Sequence, residues 1–401
     1  MGILGVVAFV VALLFSVMVH EFGHYITARK FNMKVIEFFL GFGKRIWSYR
    51  RGETEFGLKA IPAGGYCRIV GMTIHEELSE DEKKRAFYDA PVPKRLIVLA
   101  AGSFLHLVLG FLILALIVGG IGTSIVTNKV AQLVPCVINT KDGPTLGECQ
   151  AGSAKSPANI AGIQAGDEVI KIGGVSVTRS SWNKAVAVIH DSPNKSIEIV
   201  VKRDGVELPL TVKPRAKTID KKKYGFIGIV NEVGTNRAPF FLTIKDSAMI
   251  TKDVAVNSVT SLFALPNKIP SLVKQTFGNQ KRDPNGLVGV VGVARVSAQT
   301  ASDPKMKWRD KTVTFLMIIA SLNIFVGVFN MFPLLPLDGG HMAIAVIDGY
   351  RRWRARMKGE PRPHPFDIEK LMPFTLAVIV VLVGLTLLLL AADIINPVSI
   401  Q

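Results

Sequence analysis

The chain has 401 residues, 49% of them apolar, with 48 Lys and Arg against 31 Asp and Glu for a formal net charge of +17. Its mean hydropathy is positive, and long apolar runs alternate with basic stretches, as in a membrane protein with basic loops. No stretch reads as a base-stacking surface, which excludes nucleic acid as a partner, and the length leaves room for two or three domains.

A helix needs about 20 apolar residues to cross a bilayer, and four segments qualify. The first occupies 1–27; it lacks the basic start and small-residue cleavage site of a signal peptide, so it reads as a retained helix. Residues 28–94 carry Arg29, Lys30, Lys34, Lys44, Arg45, Arg50 and Arg51 near one end and Lys83, Lys84, Arg85 and Lys94 near the other. A second span covers 95–123.

Residues 124–216 read as a β-rich domain. Positions 168–174 alternate, 196–205 form a strand entering a turn, and 207–213 return from it. Cys136 and Cys149 lie in this stretch. They pair as a disulfide if it faces an oxidising compartment, or stand as two free thiols. Within 217–312, Phe241, Ile244, Ala248, Ala255, Val259 and Leu262 fall at helical spacing. A helix lying on the outer membrane face satisfies that pattern, and so does a packing helix of the outer domain. The third span is placed at 313–347, running through Pro333 and Pro336. A basic loop at 348–371 and a fourth span with a short tail at 372–401 complete the chain. Basic short loops stay on the cytoplasmic side. That puts 28–94 and 348–371 inside the cell, and 124–312 and both termini outside.

His20-Glu-Phe-Gly-His24 is an H-E-x-x-H sequence within the first apolar helix. Four residues at about 100° each bring both imidazoles to one face, where they can share a metal. Glu21 stands beside them and can hold a water as general base. Ionisable groups at membrane depth are costly and are kept mainly for function. Catalytic zinc takes three protein ligands and leaves one position open. The third candidate is Asp338, a carboxylate interrupting another apolar segment between two prolines and two glycines. His341 is a further possible ligand, but three already suffice, and a hydrogen-bonding role suits it better. His75, His190 and His364 are assigned to loops.

These motifs together resemble the site-2 proteases, the intramembrane zinc metallopeptidases, in the branch of the regulator-of-sigma-E-protease type. Phe39-Leu-Gly-Phe-Gly43 and the run from Glu55 to Tyr66 are similar to its re-entrant β-loop. Ser156-Pro-Ala-Asn-Ile-Ala-Gly-Ile-Gln-Ala-Gly-Asp167 is similar to the core of its external PDZ domain, and Leu337-Asp338-Gly339 to its second metal motif. The Val-Gly-Val repeats around 288–293 fall where that family has a Gly-rich stretch. The paired cysteines and overall spacing look closest to the actinobacterial regulated intramembrane proteases, with one PDZ domain.

The resemblance implies a polytopic α-helical membrane protein with four transmembrane helices, a cytoplasmic-side re-entrant β-loop and an extracytoplasmic PDZ domain. It implies a Zn2+ endopeptidase of the bacterial cytoplasmic membrane. Such an enzyme makes the second cut in single-span proteins such as anti-sigma factors, or in signal-peptide remnants. Asn330, Asn323, Gly64 and Gly65 are then expected to hold substrate, with Asn323 farther upstream than the family's usual second Asn. Gly102-Ser-Phe-Leu-His106 departs from the family's Gly-Pro-x-x-Asn, leaving His106 either to hydrogen-bond substrate or to pack. The rival readings are a membrane zinc peptidase of the CAAX type, with a Glu as third ligand, and a non-catalytic PDZ scaffold with a structural metal.

Overall fold

The computed structural model describes residues 2–72, 76–140, 143–147, 149, 151–178, 181–219, 222–278, 280, 282–283, 286–304 and 306–398; His75 lies outside them. They divide into two compact units, a helical unit from residues up to 121 and from 237 onward, and a β-rich unit at 122–236. Among the described residues, four helices are long and apolar enough to cross a membrane: Gly2–Lys30, Val92–Ile121, Trp308–Asn330 and Ile368–Ile395.

Helix α1 (Gly2–Lys30) outlasts its apolar stretch and passes the expected end at 27. It stops where Asn32 adopts φ 60° and the Met33 amide closes back on the Ala28 carbonyl at 2.9 Å. Asn tolerates this left-handed position better than most side chains.

Strands β1 (Val35–Arg51) and β2 (Thr54–Ile69) form the expected β-loop, but both bend. Residues 35–40 pair with 65–69 on one side and with 55–58 on the other, while 45–51 pair with 54–59. The sheet thus has four runs in the order 61–69, 35–42, 54–59, 44–51. Gly41 and Gly43, with φ of 90° and 82°, make the bend in β1. A side chain at Gly41 would lie 2.8 Å from the Ile61 carbonyl oxygen, which explains the glycines of that motif. Run 61–69 is an edge, and among the described residues no third strand joins this sheet. After the short α2 (Glu80–Lys83) comes α3 (Val92–Ala115), which has Pro93 in its first turn and continues as a π-helical turn to Ile121. A core of Ala28, Met33, Val35, Ile69, Phe87, Val98 and Leu99 ties α1, the sheet and α3 together.

In chain order the β-rich unit contains β3 (Thr123–Leu133), β4 (Cys136–Thr140), β5 (Gly143–Gly147), β6 (Ala154–Lys155), α4 (Pro157–Ile160) and β7 (Glu168–Ile172). Then follow β8 (Val175–Ser176), α5 (Trp182–His190), β9 (Ile197–Arg203), β10 (Val206–Val212), β11 (Arg215–Ile219), β12 (Lys222–Phe226) and β13 (Ile229–Asn236). One sheet has the order β10-β9-β7-β3-β13, with β8 on β7. The three strands expected at 168–174, 196–205 and 207–213 are β7, β9 and β10. The last two join at Asp204-Gly205, both at positive φ (51° and 84°), the geometry of a type I′ hairpin turn. Two expectations need correction. The unit ends at Asn236, not 216, because β13 pairs with β3 from Ile229↔Leu133 to Asn236↔Thr123. His190 is the last residue of α5, not a loop residue. Cys136 and Cys149 are disulfide-bonded, and Cys67 is free.

Buried Asp167 holds this unit together electrostatically. Arg203 donates to its two oxygens at 2.7 and 2.8 Å, and the Gln164 amide donates at 2.9 Å. Burial pushes the carboxyl up, but the guanidinium and the amide outweigh burial and hold it below its ordinary value. A lowered folded-state pKa stabilises fully above the unfolded value near 4, and that contribution is lost as pH falls through the folded value. Asp167→Ala should therefore destabilise by about 2 kcal/mol, discounted because Arg203 is a quarter exposed. Denaturant titration of the full chain, read at Trp182 at neutral pH and again at pH 3, checks this. The difference from wild type should shrink at the lower pH.

The chain returns to the helical unit as α6 (Phe240–Phe277), α7 (Val290–Ser302), α8 (Trp308–Asn330), α9 (Asp338–Lys358) and α10 (Met372–Ile395). Ile250, Val254 and Ala255 of α6 pack on Leu114, Ala320 and Ile324, so this helix belongs to the helical unit and not to the β-rich unit. Farther along, Phe263 meets Phe332 at 5.7 Å between ring centroids. The third span is also shorter than expected. It ends at Asn330, residues 331–337 form a turn containing Pro333 and Pro336, and a separate helix restarts at Asp338. The Gly-rich start of α7 approaches the end of α10, where Asp393 accepts the Gly292 amide at 2.8 Å.

Candidate metal centre

His20 and His24 lie on one face of α1, both buried. Helix α3 crosses behind them. The Val98 carbonyl lies 2.8 Å from His24 Nδ1, so the proton resides there and the Nε2 lone pair is free for a metal. Gly102 makes this crossing possible. A methyl group there would stand 2.6 Å from His20 Cε1 and 2.7 Å from His24 Nε2. In the sequence Gly102 stands only as part of Gly102-Ser-Phe-Leu-His106, with no local sign of this contact.

Asp338 arrives from the other side as the first residue of α9. Gly339 and Gly340 let the turn fold over the helix start; a Cβ at Gly339 would sit 2.2 Å from the Phe332 carbonyl oxygen. Asp338 Oδ2 then lies 3.1 Å from His20 Nε2 and 3.4 Å from His24 Nε2, and the two Nε2 atoms are 3.1 Å apart. Tetrahedral zinc about 2.0–2.1 Å from each ligand requires ligand atoms roughly 3.3–3.4 Å apart, so the three groups fit one ion. Asp338 Oδ2 is buried without a hydrogen bond, as a metal-directed oxygen would be. Among the described residues this is the one His, Cys, Asp and Glu grouping able to hold a metal, and His341 is not part of it.

Glu21 stands beside this group. Gly65 of β2 packs against it, with its Cβ position 3.3 Å from Glu21 Cγ, and the Cys67 backbone amide is directed at its carboxylate. The sheet edge 61–69 therefore runs along the carboxylate. Gly64 faces away, toward Phe42 at 2.9 Å.

The two asparagines differ. Asn330, at the end of α8, is half-buried and has no side-chain partner among the described residues. Asn323, expected to hold substrate, is instead fully buried and spent within the protein. Its amide donates to Ser16 Oγ at 3.0 Å and to the Ile319 carbonyl at 2.8 Å, and its oxygen lies 2.9 Å from His106 Nδ1. His106 is buried and its ring lies 5.0 Å from that of His20. It packs against His20 and is hydrogen-bonded to Asn323. Ser16, Asn323 and His106 thus link α1, α8 and α3 beside the histidines.

Gly102→Ala tests the crossing. Alanine favours helix by up to about 1 kcal/mol, so propensity alone predicts no harm. The methyl contact with both histidines should instead cost about tenfold or more in zinc affinity, in the range of changes that misplace metal ligands. Competition with a chelator measures it; unchanged affinity would mean the crossing relaxes freely.

The sequence matches the profile of Peptidase family M50 over residues 8–361. It is 36% identical over 412 residues to zinc metalloprotease Rip1 of Mycobacterium tuberculosis, covering 99% of each chain. To Rip1 of Mycolicibacterium smegmatis it is 34% identical over 416 residues, covering 99% of this chain and 98% of that one. To the regulator of sigma-E protease RseP of Salmonella typhimurium it is 26% identical over 434 residues, covering 88% and 91%. With two histidines and a carboxylate spaced for one zinc ion beside a membrane-length helix, this extent of similarity shows that the chain belongs to peptidase family M50, the site-2 zinc metalloproteases.

Proposed function

We propose that His20, His24 and Asp338 hold the Zn2+ of an intramembrane endopeptidase and that Glu21 is its general base. The observation that carries this is the convergence of three ligand atoms within 4.8 Å of one another, next to a carboxylate that is not one of them. Bound there, Zn2+ would polarise the scissile carbonyl and lower the pKa of a water. Glu21 takes the proton of the attacking water and passes it to the leaving amine nitrogen. Three protein ligands rather than four favour catalysis over a structural metal, because a structural site is closed.

A transmembrane substrate hides its carbonyls in helical hydrogen bonds and must unwind to be cut. The edge run 61–69 beside Glu21 can take the unwound segment as an added strand, with Gly65 leaving room for it. Asn330 can hydrogen-bond further backbone. Substrates are single-span membrane proteins already shortened on the other side, such as anti-sigma factors, in keeping with the name of the sigma-E protease relative. The unit at 122–236 is a PDZ domain outside the cytoplasm that filters or reads these stubs. The Cys136–Cys149 disulfide supports an oxidising environment for it, and the basic segments at 28–94 and 348–371 support the opposite side for themselves.

The test is a comparison of membrane proteomes from cells lacking the chain and cells in which it is restored. Truncated single-span stubs should accumulate only in its absence; identical profiles would count against this substrate class.

A further inference from the structure

Helix α9 leaves the metal centre with two faces of different chemistry. One is closed. Ile344, Ala345, Asp348 and Ala355 are buried, Asp348 pairs with buried Arg95 at 3.1 Å and accepts the Phe366 amide at 2.7 Å, and Arg352 donates to the Tyr88 carbonyl at 2.9 Å. The other face is open. Val346, Tyr350, Trp353 and Met357 are 54%, 59%, 57% and 71% exposed. Their spacing of four, three and four residues makes a single stripe at about 100° per residue. The Tyr350 and Trp353 rings lie 5.8 Å apart within it.

On the same wheel Arg354 and Arg356 fall on opposite sides of the stripe, roughly 80° from its centre. Both are exposed, and among the described residues neither has an acidic partner. Both ends of this segment are tied to membrane-length helices, with α8 ending at Asn330 and the last span beginning at Ile368. A helix so tethered, with Trp and Tyr on an apolar stripe and unpaired arginines at its margins, matches the boundary between acyl chains and phosphate headgroups.

We propose that the open face of α9 binds anionic phospholipid. Tyr350, Trp353 and Met357 lie at the acyl boundary and Arg354 and Arg356 on the lipid phosphates. Trp353 is fifteen residues from Asp338, so the headgroup level is fixed about 22 Å along the helix from that carboxylate.

The test uses the full chain in nanodiscs of phosphatidylcholine, with and without phosphatidylglycerol. The fluorescence difference between wild type and Trp353→Phe isolates Trp353 from the other three tryptophans. Its emission should be quenched by brominated lipid and shielded from aqueous acrylamide. Brominated phosphatidylglycerol should quench several-fold more strongly than brominated phosphatidylcholine. The double variant Arg354→Gln/Arg356→Gln should bring that preference close to equal quenching by the two lipids, since each basic residue near an anionic surface favours binding appreciably. Unchanged zinc content would show that the variant is folded, and Arg354→Lys/Arg356→Lys should restore the preference. Equal quenching by both lipids, in wild type and variant alike, overturns the proposal. So does a Trp353 open to acrylamide in both membranes, or one shielded only at high protein concentration, the mark of a second copy on this face.

Discussion

Replacing Glu21 by glutamine should leave zinc bound at wild-type stoichiometry and slow peptide cleavage by roughly 10^2–10^4-fold, the usual contribution of a positioned general base. The two side chains have the same shape, so the packing of Gly65 against Glu21 Cγ is preserved. The amide oxygen can still accept the Cys67 N–H directed at this position. The amide has no basicity at neutral pH, so it cannot take a proton from water. Because Glu21 is not one of the three grouped ligands, metal content should not change. Elemental analysis of the purified protein and single-turnover cleavage of a reconstituted single-span substrate separate the two effects. Turnover within tenfold of wild type would remove Glu21 from the mechanism, whereas loss of zinc would make it a ligand.

How much of this was legible in the sequence depended on whether the deciding interaction was local. The first helix and its two histidines were visible because composition and i, i+4 spacing act within a few turns. Its true end was less so, since apolarity fades at Tyr25 while backbone hydrogen bonds continue to Lys30 and the stop lies in the left-handed Asn32. Hydropathy persists through 331–337 and lengthens the apparent third span, although Pro333 and Pro336 signal the break. The β-rich unit was cut short for another reason. Strand β13 finds its partner in β3 across the whole intervening domain, and no local pattern announces such a pairing. The same limit hid the link from Ser16 through Asn323 to His106, whose members come from three helices. In sequence Asn323 reads as a substrate contact, and nothing local announces that its side chain is hydrogen-bonded to Ser16, Ile319 and His106.

Asp338→Asn should weaken zinc binding by more than the roughly 10–100-fold typical of lost outer-sphere partners, because it alters a ligand itself. Asparagine keeps the size of the side chain and the turn over Gly339, so the fold around it has no steric reason to change. It does remove the only negative charge among the three ligands, and a neutral carbonyl oxygen is a poorer partner for a divalent ion than a carboxylate. Chelator competition on the reconstituted protein measures the affinity, and thermal unfolding without metal should show little difference between the two proteins. That pairing of results distinguishes a lost ligand from a damaged fold. Zinc held at wild-type affinity by the variant would instead exclude Asp338 from the ligand set and point to a different third ligand, as in the CAAX-type arrangement where a glutamate serves. The distances argue for the first outcome: both histidine Nε2 atoms already face the same Asp338 oxygen, at 3.1 and 3.4 Å, and among the described residues that oxygen has no other polar partner.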